Sequence, residues 1–449
     1  MRQNILSFEI RVKPLSPVHI GIGNEFVGRG AYHLYDEGRQ LALLQPRRLA
    51  GRLLDHFGDQ GQIAAKVQDF MERDAYPPAI ARDIESGALA TRRMSVHPGA
   101  KSLVNSPAGL KVISALANGL PYIPGSSVKG ALRTAWLDWQ TQQPDAYSRF
   151  QEEASRAKSA RPKDADDKLM GRKQTAERLT GTNVDPQPQN RDLFRAVQVS
   201  DLLPDRTEKL TRAFAVLSMS YMVDSYVRPS DRGYAGAQAW ECLNPQAGAT
   251  YVGTVTVDLD LLSRFRSQDK DAANLISALS DAASWDTALS GYGSRIFSTE
   301  RQHLKILRGL PDERRQGIKI RETPDDDLIF NWSEKMADRK TQLMPVGMGA
   351  GLLAHSLLGV KNPLYPSDPE GDLAEYLGDE LIEEDGEETL LERVLSAGKQ
   401  TNGYQFSPAP KSRRVTGEFR KQPGDRPYAE MRAERSLGWT ELTLKVRGG

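Results

Sequence analysis

The sequence predicts an α+β fold, and three observations support this prediction. Ser7 to Lys13 alternates apolar and polar residues, which is the two-residue period of a half-buried strand. Arg47 to Phe57 and Asp271 to Ala283 instead repeat apolar residues at helical spacing. Before residue 145, a strand, a helix, paired strands and another helix follow in turn, which is the order of a ferredoxin-like (RRM-like) unit.

Short elements fill the rest of the first unit. Strands are predicted at Tyr32–Tyr35 and Gln40–Leu44, flanking the turn-like residues Asp36 to Gly38. A strand pair is predicted near Arg92–His97 and Leu110–Ala115. A helix that follows Pro124 completes the unit.

The second half begins after a polar stretch. Asp145 to Asn190 is rich in Lys, Arg, Asp and Gln and is predicted to be an exposed helical excursion with a linker. Strands are then predicted at Leu193–Ser200 and Thr250–Leu259. Leu437 to Val446 alternates again and is predicted to be the closing strand.

The 449 residues are enough for two or three domains. We predict an N-terminal unit at residues 1–185 with a helical insertion and a C-terminal unit at residues 190–449. The strongly acidic stretch around residues 366–392 is predicted to be an insertion or mobile loop. The full prediction is two ferredoxin-like units with insertions and a glycine-rich loop.

Composition restricts the function classes. Hydrophobic content of 39% and charged content of 27% are typical of a globular protein. Apolar runs are too short for a membrane span, and polar residues interrupt the N-terminal segment, so we expect no membrane partner, no signal peptide and a cytoplasmic location.

The single Cys242 excludes an intrachain disulfide and cysteine-rich metal sites. Neither a metal site nor a cofactor is expected. The net charge of +1 argues against indiscriminate nucleic-acid binding, although segregated acids can leave a basic groove.

The segment Ile123 to Trp139, IPGSSVKGALRTAWLDW, predicts an amphipathic helix. Ser126 or Ser127 is predicted to cap it by accepting a bond from a backbone N–H group. The apolar stripe is predicted to be Val128, Leu132, Ala135, Trp136 and Trp139.

Two cations lie beside this helix start. Lys129 and Arg133 are four residues apart and therefore share a face, and Gly130 leaves room for a close approach. Cations near free helix N–H groups favour an anion such as phosphate. The alternative is a solvated basic face on an ordinary core helix.

The N-terminal motif LSPVHIGIG, Leu15 to Gly23, places His19 at a strand end followed by a glycine-flanked turn that gives a ligand access. Histidine titrates near neutral pH and can act as a general acid or base. The alternative is a structural or RNA-contacting histidine, with Gly21 and Gly23 beside it.

A glycine-rich loop is predicted at Gly347-Met348-Gly349-Ala350-Gly351, before an apolar helix at Leu352 to Leu358. Alternating glycines let backbone N–H groups approach a phosphate. The alternative is a tight turn packed on a sheet.

Two further segments offer cations. Gly291 to Arg295 is predicted to be a loop in which Tyr292 provides a stacking surface and Arg295 a charge. Lys411, Arg413 and Arg414 form a basic run suited to phosphates. For either segment the alternative is a solvated charge run.

Four places in order carry a family resemblance. IPGSSVKGALR resembles the helix-opening motif of the RAMP superfamily, the RNA-binding proteins of type III CRISPR effector complexes. LSPVHIGIG and PVGMGAGLLAHSL resemble other motifs of that family. The pair PKSRR and LGWTEL looks most like the fifth Csm-type subunit, which caps the 3′-side end of the guide-RNA filament.

The resemblance implies a non-catalytic subunit of a type III-A complex that holds crRNA and contributes to crRNA maturation and antiviral defence. Its expected partners are crRNA, a neighbouring RAMP backbone subunit, a small helical subunit and, indirectly, target RNA. The expected RNA-binding residues are His19, Gly21, Gly23, Ser126, Ser127, Lys129, Gly130, Arg133, Tyr292, Arg295, Gly347, Met348, Gly349, Gly351, Lys411, Arg413 and Arg414. The main alternative is a guide-processing endoribonuclease that uses His19; another is a cap from a different type III subtype.

Overall fold

The structure is a computed structural model that describes most of the chain in separate stretches. These are residues 4–21, 23, 26–58, 70, 76–143, 193–220, 237–264, 270–309, 318–320, 342–348, 412–421 and 429–447. The predicted excursion at 145–190, the acidic insertion around 366–392 and the predicted helix at 352–358 lie outside the described residues.

Strands and helices are both abundant, which confirms the α+β class. The strands β1 to β16 are Ile5–Pro14, Phe26–Val27, Tyr32–Tyr35, Gln40–Leu44, Ala90–Val96, Leu110–Lys111, Val197–Val199, Leu203–Pro204, Thr211–Ser220, Gln238–Leu243, Tyr251–Asp258, Ile318–Ile320, Gln342–Pro345, Ser412–Lys421, Ala429–Ser436 and Trp439–Val446. The helices α1 to α7 are Pro46–Phe57, Pro78–Ser86, Lys101–Val104, Gly125–Thr141, Leu259–Arg264, Lys270–Leu279 and Ala282–Gly309. No helix within these stretches has the length and apolar character that a membrane crossing needs.

The first sheet, sheet A, is antiparallel and has the order β13-β16-β1-β11-β7, with β8 also paired to β11. The alternation predicted for β1 is confirmed, because Phe8, Ile10 and Val12 are all buried. The predicted closing strand is also confirmed as β16. The strand predicted from residue 193 is shorter than expected, since Leu193–Ala196 forms a 3-10 turn.

Helices α4 and α7 help to build the core on sheet A. The rings of Trp136 and Trp285 are fully buried and meet edge to face, with centroids 5.2 Å apart. Phe8 of β1 packs against Trp285 with centroids 5.4 Å apart. These three side chains therefore join both helices to the centre of sheet A.

The second sheet, sheet B, has the order β12-β15-β14-β9-β10-β6-β2, and β3-β4-β5 joins it through β5 and β9. Strands β3 and β4 have the predicted bounds, and their turn places Asp36 and Glu37 at positive φ. The predicted pairing of residues 92–97 with 110–115 is wrong. Strand β5 pairs with β4 and β9, whereas β6 pairs with β2 and, in parallel, with β10.

Both sheets combine strands from either side of residues 185–190. In sheet A, β1 pairs with β11 and β16. In sheet B, β6 pairs with β10. The division into units at residues 1–185 and 190–449 stays a prediction.

The predicted loop at residues 291–295 is wrong, because these residues lie inside α7. A Cβ atom at Gly293 would lie 2.4 Å from the Leu343 carbonyl oxygen, so this glycine allows the helix to approach β13. Tyr292 is fully buried, and Arg295 pairs with Asp138 of α4, its Nε donating to Oδ1 at 3.2 Å. Burial lowers the pKa of Arg295 to about 10. In this arrangement Tyr292 offers no stacking surface.

Candidate nucleic-acid interface

The basic edge of α4 is the first part of the candidate interface. Ser126 and Gly130 are exposed, and Lys129 and Arg133 are half-buried beside them. Their spacing of three and four residues places them along one side of the helix. The opposite stripe is fully buried and consists of Val128, Leu132, Ala135 and Trp136. The predicted division of this helix into an apolar stripe and a basic edge is therefore confirmed for four of the five apolar positions, whereas Trp139 is half-buried.

The predicted serine cap of α4 is wrong. The residue before the helix is Pro124, and Ser126–Ser127 lie within the first turn. The carboxylate of Asp201 accepts the Gly125 N–H at 2.8 Å. A negative group therefore already occupies the helix N-terminus, so an RNA phosphate near α4 would have to be held through side chains.

The central part of the Leu15–Gly23 motif, residues 16–20, is buried, whereas Gly23 is exposed. Val18 pairs with Leu243 at the edge of β10, and the His19 carbonyl accepts the Met348 N–H at 2.7 Å. The His19 side chain is fully buried. The expectation that a ligand has access to His19 is therefore wrong in this conformation, whereas its RNA-contacting role stays a prediction.

The His19 imidazole is held in one tautomer. Its Nδ1 lies 2.7 Å from the Glu241 carbonyl oxygen, which can only accept, so Nδ1 carries the proton. Its Nε2 is buried and has no hydrogen-bond partner among the described residues. A Cβ at Gly21 would lie 2.9 Å from Nε2, which explains the glycine. Burial, followed by the charges of Lys111 and Arg414, lowers the His19 pKa to about 4 against the backbone hydrogen bond.

This buried imidazole predicts acid sensitivity. The pKa of His19 is about 4 in the folded state and 6.5 in the unfolded state, so the unfolded chain binds the proton first as the pH falls. We expect His19 to lower the free energy of unfolding by up to about 1.4 kcal/mol per pH unit within this window and to add no dependence above it. Burial also lowers the pKa of His97 to about 4, so His97 contributes in the same window in parent and variant alike. Urea unfolding at several pH values checks this. His19→Asn, which keeps an N–H donor, should flatten the dependence; equal slopes in parent and variant would contradict the prediction.

An aromatic row crosses one face of sheet B. Trp240 lies opposite Lys111 on one side and Phe214 on the other, and Phe26 lies opposite Lys111. Directly paired residues of neighbouring strands share a face of the sheet. We call Phe26, Lys111, Trp240 and Phe214 the aromatic row.

Cations surround the Trp240 ring. The Lys111 ammonium lies 4.7 Å from the ring centroid, and the Arg414 guanidinium carbon lies 4.8 Å from it. The Lys111 Nζ also lies 3.1 Å from the Met348 sulfur. Burial and the neighbouring Arg414 lower the pKa of Lys111, while burial alone lowers the pKa of Arg414. The ring thus accepts two cation–π contacts.

A second aromatic–cation contact lies beside the first. The Arg212 guanidinium carbon is 5.6 Å from the Phe214 centroid, and His97 stacks on the same ring at 5.5 Å. Glu434 pairs with His97 at 3.2 Å. Rings and cations together are the groups that single-stranded nucleic acid binds through stacking and phosphate contacts.

Glu241 supports this face from below. It is fully buried, and its two oxygens accept from Arg92 at 2.6 and 2.5 Å. Its Oε2 also accepts the Ile113 N–H at 3.1 Å. The carboxylate therefore joins β5 and the end of β6 to β10, next to Trp240.

The structure brings together only some of the predicted residues. His19, Met348 and Arg414 pack around Trp240, and Gly21 and Gly347 lie against His19. Gly347 has φ +87°, and a Cβ there would lie 2.5 Å from the His19 carbonyl oxygen. Its turn is thus packed against this chain's own backbone, whereas its contact with RNA stays a prediction.

Other predicted residues lie elsewhere. Tyr292 and Arg295 belong to α7, and the predicted residues of α4 form a basic edge apart from the Trp240 site. A Cβ atom at Gly23 would meet no other atom within 4 Å. Arg413 lies in β14, and Gly349, Gly351 and Lys411 lie outside the described residues.

Sequence reasoning missed most of the aromatic row. Phe26, Lys111, Trp240 and Phe214 come from four strands, and the row depends on the parallel pairing of β6 with β10. Strand β10 gave no periodic signal, because Gln238 to Leu243 does not alternate polar with apolar residues and Ala239 to Leu243 are all buried. Across the described stretches, no group of three or more His, Cys, Asp or Glu side chains is placed to hold a metal ion.

Sequence relatives carry a common name. CRISPR system Cms protein Csm5 from two strains of Mycobacterium tuberculosis is 27% identical over 231 residues, 47% of this chain and 58% of the relative. The protein of the same name from Methanocaldococcus jannaschii is 25% identical over 147 residues, 30% of this chain and 31% of that protein. The matched regions span less than two thirds of either relative.

A structural relative shares the fold. It is a chain of the cryo-EM structure of a Csm-crRNA-target RNA ternary complex in a type III-A CRISPR-Cas system. The TM-score is 0.54 at 19% identity, and the match covers 98% of this chain and 100% of that one. A family model for the RAMP superfamily matches residues 11–333, which contain the His19 segment, the whole of α4 and the Trp240 strand. These matches confirm the resemblance to Csm5, and the chain belongs to the RAMP superfamily.

Proposed function

We propose that this chain is a non-catalytic crRNA-binding subunit of a type III-A Csm complex. In this role it caps the filament at the 3′ side of the crRNA and contributes to crRNA maturation and antiviral defence in the cytoplasm. The proposal is supported by the resemblance to Csm5 and by two described basic surfaces. Binding is expected to be largely sequence-independent, through phosphates and stacking, because a cap must accept every spacer.

The proposal includes the fold and the neighbours. Two ferredoxin-like units, at residues 1–185 and 190–449, would form the subunit. It would pack on the neighbouring RAMP backbone subunit and the small helical subunit, and it would meet target RNA only through the crRNA.

Gly130 is the observation that carries the proposal. A glycine inside a helix costs about 1 kcal/mol relative to alanine. Gly130 is exposed, and a Cβ atom there would meet nothing within 4 Å. No packing within the described chain explains this glycine, so we attribute it to the close approach of an RNA backbone beside Lys129 and Arg133.

The burial of His19 favours binding over cleavage. A general acid or base must reach the proton it transfers, within about 3 Å or through one water. The imidazole is fully buried in this structure. The endoribonuclease alternative would require this segment to open.

The test uses the complex purified with the products of the neighbouring genes. A crRNA of defined length should copurify. The double variant Lys129→Ala/Arg133→Ala should retain less RNA, with the larger loss at low salt. The slope of log affinity against log salt should fall in magnitude by about 1–1.5, since each lost phosphate contact on a single strand removes about 0.7.

Two controls sharpen this test. Arg47→Ala/Arg48→Ala removes two exposed cations from α1 and should leave the slope unchanged. Gly130→Ala should raise the free energy of unfolding by about 0.5–1 kcal/mol and still weaken RNA retention. If α4 were only a core helix with a solvated basic face, Gly130→Ala would give the same gain in stability, but RNA affinity and its salt dependence would stay at the parental values. That result would reject the proposal.

A further inference from the structure

Lys111 is a buried cation to which the described part of the chain offers no matching anion. Only 3% of the residue is exposed, and within the described stretches no carboxylate lies within ion-pair distance of its ammonium. Its neighbours are the Trp240 ring, the Phe26 ring with its centroid at 5.9 Å, and the Met348 sulfur. Burying a charge is costly unless an opposite charge or hydrogen-bond acceptor compensates it.

A second cation makes the imbalance larger. Arg414 approaches the same Trp240 ring, and its side chain is exposed, so a ligand can reach it from solvent. Like charges held near one ring repel each other, whereas an anion bound beside the ring would be attracted to both. Cation–π contacts with Trp240 offset only part of this cost, because they are worth about 0.5–2 kcal/mol each.

Phe26 adds a stacking surface next to Lys111. It lies opposite Lys111 at the outer strand β2, and 38% of the residue is exposed. A large apolar side chain that is exposed to solvent on the same face as cations suits single-stranded RNA, in which the base stacks on the ring and the phosphates are attracted to the cations.

We infer that Lys111, Arg414 and Phe26 form a nucleotide subsite on sheet B, in which the exposed Arg414 binds one backbone phosphate of single-stranded RNA, the buried Lys111 adds its positive charge at the Trp240 ring, and Phe26 stacks a base. This inference rests on the proposed function and adds a second RNA contact, distinct from the edge of α4. Trp240 acts as a positioning residue, since its ring holds both cations in place in the free chain.

The decisive variant is Lys111→Met. Methionine keeps the length and apolar stem that pack on Trp240 and Met348 but removes the charge. The full-length chain is titrated with a labelled single-stranded polyuridine RNA of about 16 nucleotides. We expect an affinity loss of about tenfold or more and a salt slope smaller by about 0.7. We also expect a urea midpoint at least as high as that of the parent. A purely structural Lys111 predicts a lower midpoint with parental RNA affinity, and that outcome would overturn the inference.

Two further variants keep the test informative if Lys111→Met fails to fold. Arg414→Gln changes an exposed side chain and should reduce the slope by a similar amount, about 0.7. Phe26→Ala should weaken binding about five- to a hundredfold on normal RNA and not on RNA with abasic sites, because stacking needs a base. Arg47→Ala is the matched control for the loss of one exposed charge.

The two proposals fail differently. Unchanged affinity and slope in both Lys111→Met and Arg414→Gln, with RNA retention still dependent on Lys129 and Arg133, would overturn the subsite alone. A parent complex that retains no RNA would reject the proposed function and the subsite together.

Discussion

Replacing Glu241 by Leu is expected to lower the free energy of unfolding by about 3–5 kcal/mol. The carboxylate is fully buried, and it binds the guanidinium of Arg92 through both oxygens. The Arg92 side chain is only 13% exposed, so the variant leaves a charge with little access to water. The Ile113 N–H loses its acceptor as well. Urea unfolding of the full chain measures the loss.

Two controls separate the ion pair from simple changes in packing. The double variant Arg92→Met/Glu241→Leu removes both charges and should recover most of the stability, because an apolar pair of similar volume is often neutral. Asp83→Asn breaks a more exposed pair, in which the Asp83 and Arg52 side chains lie 2.7 Å apart and are each about one third exposed, and should cost no more than about 1 kcal/mol. A double variant as unstable as Glu241→Leu would contradict the explanation.

Replacing Gly125 by Ala is expected to destabilise the fold by about 3 kcal/mol or more. A Cβ atom there would lie 2.2 Å from the Val199 carbonyl oxygen and 2.6 Å from that of Ser200. Both are backbone atoms, so α4 or β7 would have to move. Such a movement would also break the bond from the Gly125 N–H to Asp201.

The same helix supplies the matched control. Gly130→Ala adds the same methyl group where nothing lies within 4 Å, and it should stabilise the helix instead. Urea midpoints of the two variants should therefore shift in opposite directions. A Gly125→Ala protein as stable as the parent would show that α4 and β7 do not approach this closely.

Sequence patterns within a single element predicted those strands and helices that bury one face. The alternation of Phe8, Ile10 and Val12 marks β1, and the spacing of Val128 and Leu132 marks the buried side of α4, because burial of one face imposes a period on the sequence. The basic edge of α4 could be predicted for the same reason, because it lies opposite the buried side of the helix.

Features that depend on distant partners could not be predicted in this way. Glycines on both sides of Tyr292 indicate a loop when considered alone. Inside the helix, Gly293 is explained by the close approach of Leu343, and a Cβ atom at Gly291 would lie 3.3 Å from the Arg295 guanidinium. The burial of His19 depends on Leu243 and Met348, and the place of Lys111 depends on Trp240. No periodicity encodes which strands will be neighbours.

The central place of β1 in sheet A affects how the chain is made. Its two neighbours are β11 and β16. The N–H of Trp439, the first residue of β16, donates to the Ser16 hydroxyl oxygen, which lies 423 residues earlier in the chain. A ribosome adds about 5–20 residues per second, so β1 waits on the order of tens of seconds for its last partner. Throughout that time at least one edge of β1 remains unpaired, and unpaired strand edges promote aggregation. We therefore expect the nascent chain to need protection from aggregation until β16 has been synthesised.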